Sequence, residues 1–174
     1  WLKTHILIHE KKDAIYIYSQ KYQENGKGKS RTGFIALMKI ASGSKRTALA
    51  HENTLLAPKL DRFNLIRAAE ANLEPIFVLY EESRSWVSNI LRKFASKTGP
   101  FIDIRLESVR HTVWRIDDER AIKAVEALMR PKEIIIADGH HRYEAALTYS
   151  AETRNKNIMA YFVELNDENL TILP

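Results

Sequence analysis

Within Ile134-Ile-Ile-Ala-Asp-Gly-His-His-Arg-Tyr-Glu-Ala-Ala-Leu147, a carboxylate, two imidazoles and a guanidinium are strung around one glycine. Ile134, Ile135 and Ile136 read as a buried strand, bounded by Pro131 upstream and Gly139 downstream. Tyr143 to Tyr149 are good helix formers with no breaker. A strand feeding straight into a helix start turns backbone N–H groups toward solvent, which suits an anion. With Asp138, Gly139, His140, His141 and Arg142 crowded there, the segment reads as a phosphate site. The structural alternative makes Asp138 an N-cap and Gly139 a turn residue. Zinc fits less well. Adjacent helical positions diverge, the chain has no cysteine, and this segment has no His-x-x-x-His spacing.

Two further clusters carry chemistry. In His51-Glu-Asn-Thr54 a carboxylate beside an imidazole suits a general base or a metal ligand, with a plain loop as the structural alternative. In Arg110-His-Thr-Val-Trp-Arg115, read as a strand, His111 and Arg115 share a face about 13 Å apart. That spacing suits two ends of one bound ligand. Trp114 faces the other way, toward the core or as a ring platform. Asp61 and Arg62 read as a charge pair at a helix start.

These residues need elements to position them. Ala14–Tyr18 and Phe34–Ile40 are expected to pair as a hairpin, with the glycine-rich stretch Gln20 to Gly33 as its connection. A helix is expected from Arg62 to Asn72, opened by Asp61, and a buried strand over Pro75–Tyr80. Ser83 or Ser85 is expected to cap a helix in which Trp86, Ile90, Leu91 and Phe94 share a face. Strands over Phe101–Glu107 and Val109–Ile116 follow. Asp117 or Asp118 caps a helix that Pro131 ends. Ile158 to Leu165 is a late strand. Strands and helices do not simply alternate, so the order favours an α+β domain over a doubly wound sheet.

Composition bounds the class. The chain has 174 residues, 45% hydrophobic and 28% charged, which is ordinary for one soluble globular domain. The absence of cysteine fits a reducing cytoplasm. No stretch reads as a signal peptide or membrane span. The net charge of +5, concentrated in Lys21 to Arg31 and Lys45-Arg46, suits an anionic ligand. Exposed loop lysines are also ordinary solubility features. The first and last residues, Trp1 and Leu173-Pro174, suggest one α+β domain over 1–174, cut from a longer chain at both ends.

Five segments, in order, bring a family into view: Ala50-His-Glu-Asn-Thr54, Lys59-Leu-Asp-Arg62, Ala71-Asn-Leu-Glu-Pro-Ile-Phe77, Arg110-His-Thr-Val-Trp-Arg115 and Ile136-Ala-Asp-Gly-His-His-Arg-Tyr-Glu-Ala-Ala146. Over nearly its whole length the chain closely resembles the domain-of-unknown-function 1015 family of bacteria and archaea. Around Trp114 to Leu147 it is also similar to the ParB and sulfiredoxin superfamily. In that superfamily a strand, a glycine turn and a helix cradle a phosphate, and free serine kinases carry the five residues seen at Asp138 to Arg142.

The resemblance implies a ParB/sulfiredoxin-like mixed sheet with packed helices, and a phosphate-binding core over 110–150. It also implies a kinase that makes O-phosphoserine from free L-serine, with a nucleotide or pyrophosphate as donor. Gly139 and Arg142 would hold donor phosphates, with His51, His111 and Arg115 as further substrate ligands. His140 or His141 would stabilise the transferring phosphoryl group, and Mg²⁺ would bridge its oxygens through Asp138. Glu52 is the first candidate for the general base and Asp138 the second. The rival class is a ParB-like module that binds a nucleotide or DNA without catalysis. A scaffold domain of a longer protein is the third.

Overall fold

The computed structural model describes residues 3–4, 10–40, 48–49, 56–167 and 170. Among them the chain runs β1 (Ile15–Glu24), β2 (Lys27–Lys39), β3 (Ala48–Leu49), α1 (Leu56–Ala69), β4 (Ile76–Tyr80), α2 (Trp86–Ala95), β5 (Ile102–Leu106), β6 (Val109–Ile116), α3 (Glu119–Met129), β7 (Ile134–Asp138), α4 (His140–Glu152) and β8 (Asn157–Glu164). The strands form one sheet in the order β3-β7-β4-β8-β2-β1-β6-β5. The sheet is mixed. β3 runs parallel to β7 and β4 to β8, while the other neighbours are antiparallel. The expected α+β class is the one found.

Strand alternation sends Ile17, Phe34, Val78, Ile136 and Phe162 to one face of the sheet, where the four helices pack. α2 supplies Val87 and Leu91, α3 supplies Val125, and α4 supplies Tyr143 and Ala146. Each Val, Leu, Ile or Phe among them contributes roughly 1.5–3 kcal/mol when taken fully from water. The opposite face holds a smaller cluster of Leu79, Tyr161 and Val163. There Tyr161 stacks on Phe77 with centroids 5.6 Å apart and meets Tyr18 edge-on at 5.3 Å. Gly33 makes that packing possible. A Cβ at this position would stand 2.8 Å from both the Tyr161 ring and Val163, and would overlap the Phe162 carbonyl.

Three local expectations are corrected. The glycine-rich stretch 20–33 is mostly strand, because a two-residue turn at Asn25-Gly26 closes the hairpin. Both turn residues have positive φ, 51° and 75°, the backbone that matches strand twist. The first helix starts at Leu56, not after Asp61. Pro58 falls in its first turn, where its missing N–H has no intrahelical partner to lose. Ser85 stands at the N-cap of α2 with φ 46° and does not cap it. Its hydroxyl donates to Glu164 at 3.0 Å, and the buried Glu82 carboxylate accepts from the Val87 N–H at 2.9 Å. Asp118 does cap α3, accepting from the Ala121 N–H at 2.7 Å.

Candidate functional site

The end of β7 sets the geometry of the 138–142 turn. Ile134 and Ile136 anchor the strand in the core, and Asp138 pairs with Phe77 of β4 beside a register shift between Phe77 and Val78. Gly139 then takes φ 93° and ψ 28°, a left-handed conformation that glycine adopts at little cost. It is the N-cap of α4 and brings no side chain to cap the first turn. The Tyr143 N–H donates to the Gly139 carbonyl at 2.9 Å, so helical bonding begins at once. The positive end of the α4 dipole therefore sits where β7 stops.

Arg142 braces this turn. One guanidinium nitrogen donates to the Pro75 carbonyl at 2.5 Å and lies 3.4 Å from Glu74 Oε2. The other donates to Asp138 Oδ2 at 2.6 Å, an i,i+4 pair. The side chain is folded back over Gly139, so the expected phosphate ligand already has three oxygen partners in this arrangement. His140 is only 4% exposed and belongs to the interior. His141 is half-buried, and the Asp138 side chain is 70% exposed. These two are the titratable side chains of the turn that are not fully buried, besides Arg142.

Other segments converge here. Lys59 of α1 pairs with Glu144 of α4 at 3.6 Å. Arg62, Asn72, Glu74 and Arg142 line a small hollow of about 50 Å³ with Ile66 and Ala145. Thus the stretches 59–62, 71–77 and 138–146 meet around α1 and α4. Asp61 and Arg62 do form a charge pair, at 4.0 Å, but within α1 rather than at a helix start.

The remaining candidates lie elsewhere. His111 accepts or donates at Nδ1 to the Tyr18 hydroxyl, 2.6 Å away, and its ring stacks on Tyr18. Arg115 is held between Glu10 at 2.9 Å and Asp117 at 2.7 Å. Both lie on β6, five strand positions from β7, or about 24 Å at the usual spacing. The structure therefore does not bring His111 and Arg115 to the 138–142 turn. His51 and Glu52 lie outside the described residues.

A larger cavity of about 520 Å³ lies between α2 and the sheet, lined by Ser19, Thr32, Arg92, Trp114, Glu164 and Asp167 among others. Ser85 and Ser88 both donate to Glu164 there, at 3.0 and 2.7 Å, tying α2 to β8. Of its lining, the sequence had singled out Trp114 and Leu91, each by its face, and Ser85, as a cap. The rest belong to separate strands, to α2 and to the segment after β8, with no spacing that marks them as a set. Among the described residues, no cluster of three or more His, Cys, Asp or Glu side chains could hold a metal ion by itself. None of the described helices is long and apolar enough to cross a membrane.

A family model described as "Protein of unknown function (DUF1015)" matches residues 1–174. No curated protein and no solved structure matches the chain.

Proposed function

We propose that this chain, which belongs to the DUF1015 family over its whole length, is a cytoplasmic phosphotransferase. It would pass a phosphoryl group from a nucleotide or pyrophosphate donor to a small alcohol, free L-serine. The observation that carries this reading is the turn itself: β7 runs straight into α4 through a left-handed glycine with no capping side chain. Such a helix start favours phosphate oxygens by its dipole and its first-turn N–H groups. His141 stands beside it to stabilise negative charge. Phosphoryl transfer asks mainly for positioning and electrostatics, so a small set of groups suffices. Arg142 acts in this reading by shaping the turn through Asp138 and the Pro75 carbonyl.

Asp138 also fits an Mg²⁺ ion. It offers a hard, mostly exposed carboxylate, and Mg²⁺ needs only one or two such groups when phosphates complete its shell. Bound there, the ion would neutralise charge on the donor phosphates. The base toward the serine hydroxyl remains assigned to Glu52 first and Asp138 second.

The test is an assay of the full-length protein with L-serine and Mg²⁺ against ATP, ADP and pyrophosphate, following phosphoserine. Donor-dependent phosphoserine supports the reading, and none with any donor overturns it. The second reading, a ParB-like nucleotide or DNA binder without catalysis, draws on the net charge of +5 and on Lys21, Lys27 and Lys29 of the hairpin. Lys29 is paired with Glu24, and Arg31 is bound to Gln20. DNA affinity falling steeply with salt, together with no phosphoserine, would favour that reading, because phosphate contacts release counterions.

A further inference from the structure

β5 ends the sheet, paired on one side only by β6 among the described residues. All five of its residues are exposed. Its sequence, Ile102-Asp-Ile-Arg-Leu106, alternates apolar and charged side chains. Ile102, Ile104 and Leu106 are 41%, 47% and 58% exposed on one face. Sheet edges of this kind are usually blunted by proline, lysine or a covering element, because they template pairing with another chain. β5 itself contains neither proline nor lysine.

The charges say which chain fits. Consider an antiparallel copy of β5 centred on Ile104. Ile104 then faces Ile104 of the copy, Ile102 faces Leu106, and Asp103 faces Arg105 in both directions. Every apolar side chain meets an apolar one and every charge meets its opposite. Shifting the centre to Asp103 or to Arg105 sets like charges face to face, which disfavours those registers. The backbone agrees. The two-residue turn at Glu107-Ser108 makes Leu106 and Val109 a hydrogen-bonded pair, and the alternation then directs the N–H and C=O of Asp103 and Arg105 outward. Those are the residues that the Ile104-centred register hydrogen-bonds. Within the chain, Arg105 stands directly opposite Arg110, while Asp103 is paired with Arg110. A copy's Asp103 supplies Arg105 with a carboxylate.

We propose that the protein forms a twofold-symmetric dimer by antiparallel pairing of β5 with β5 of a second copy, centred on Ile104, extending the sheet across both. The interface is isologous and closed, so it ends at two chains. It lies at the far edge of the sheet from β7 and α4, and stands independently of the phosphotransferase reading.

Sedimentation velocity on the full-length protein, across a micromolar concentration series, tests it. The wild type is expected to dimerise. Arg105→Asp and Asp103→Arg should each raise the dissociation constant on the order of tenfold or more, having turned both attractions into repulsions. The double variant exchanges the charges and restores dimerisation. Arg105→Asp also removes the opposition to Arg110 within the chain, so its folding stability holds or rises while its dimer weakens. Ile104→Lys, also at an exposed position, sets two ammonium groups across the axis and gives a monomer with wild-type circular dichroism. A wild type monomeric throughout the series overturns the proposal. So do single charge reversals without effect, or a double variant that stays monomeric.

Discussion

The Arg142 guanidinium lies over Gly139: a Cβ at 139 would stand 3.1 Å from Arg142 Nε and 2.9 Å from Ile76 Cγ2. Two constraints therefore meet at one position, since Gly139 also needs φ 93°. Gly139→Ala is expected to lower stability by about 2 kcal/mol, from backbone strain and crowding together. Urea denaturation measures it. A loss under about 0.5 kcal/mol would show that the turn relaxes freely and that Arg142 does not brace it.

The two histidines separate into different roles. His140 is buried, so His140→Ala should cost about 2 kcal/mol of stability through lost packing. His141 is half-buried at the mouth of the turn, so His141→Ala should fold normally. Its turnover to phosphoserine should fall about a hundredfold, the usual effect of losing one aligned charge-stabilising group. Full activity in His141→Ala removes this residue from the chemistry.

Gly33 tests the second face of the sheet. Gly33→Ala drives a methyl group into the Tyr161 ring, Val163 and the Phe162 carbonyl, and should cost about 3 kcal/mol. Gly28→Ala is the control. Its methyl meets only the Gln23 side-chain nitrogen at 3.8 Å and should leave the melting temperature unchanged or slightly raised. Equal melting temperatures for the two variants would contradict the close packing of Tyr161 over β2.

Burial raises the phenols of Tyr80 and Tyr161 well above their ordinary value. A raised value in the folded state means that the fold favours the neutral phenol. The associated stabilisation is complete below the unfolded value of about 10 and is lost as pH climbs toward the folded value. Phenolate absorbance followed with circular dichroism should show that at least two tyrosines, Tyr80 and Tyr161 among them, ionise only as the protein unfolds in alkali. Seven tyrosines titrating as one class near pH 10, with the dichroism intact, would rule this out.

Much of this protein is written locally. The run Ile134–Ile136 into Asp138-Gly139, the apolar face of α2 and the Asp118 cap depend on near neighbours, and each is recovered from residue type and spacing. The Asp138–Arg142 brace was not legible from helical spacing, because Asp138 ends β7 and only Arg142 stands on α4.

What residues alone left open depends on strands distant in sequence. Nothing in Arg110 to Arg115 says that four strands stand between β6 and β7, so His111 and Arg115 looked like partners of the turn. Nothing in Pro75 says that its carbonyl receives Arg142, 67 residues away. The 520 Å³ cavity joins side chains of four strands and a helix. The sequence by itself determined most of the elements, though not β3 or the start of α1, and the strand–glycine–helix turn, because backbone preferences and side-chain periodicity act over a few residues. Strand order and the closing of Arg142 onto Gly139 were decided only by the tertiary structure, because each depends on which distant surfaces exclude water together.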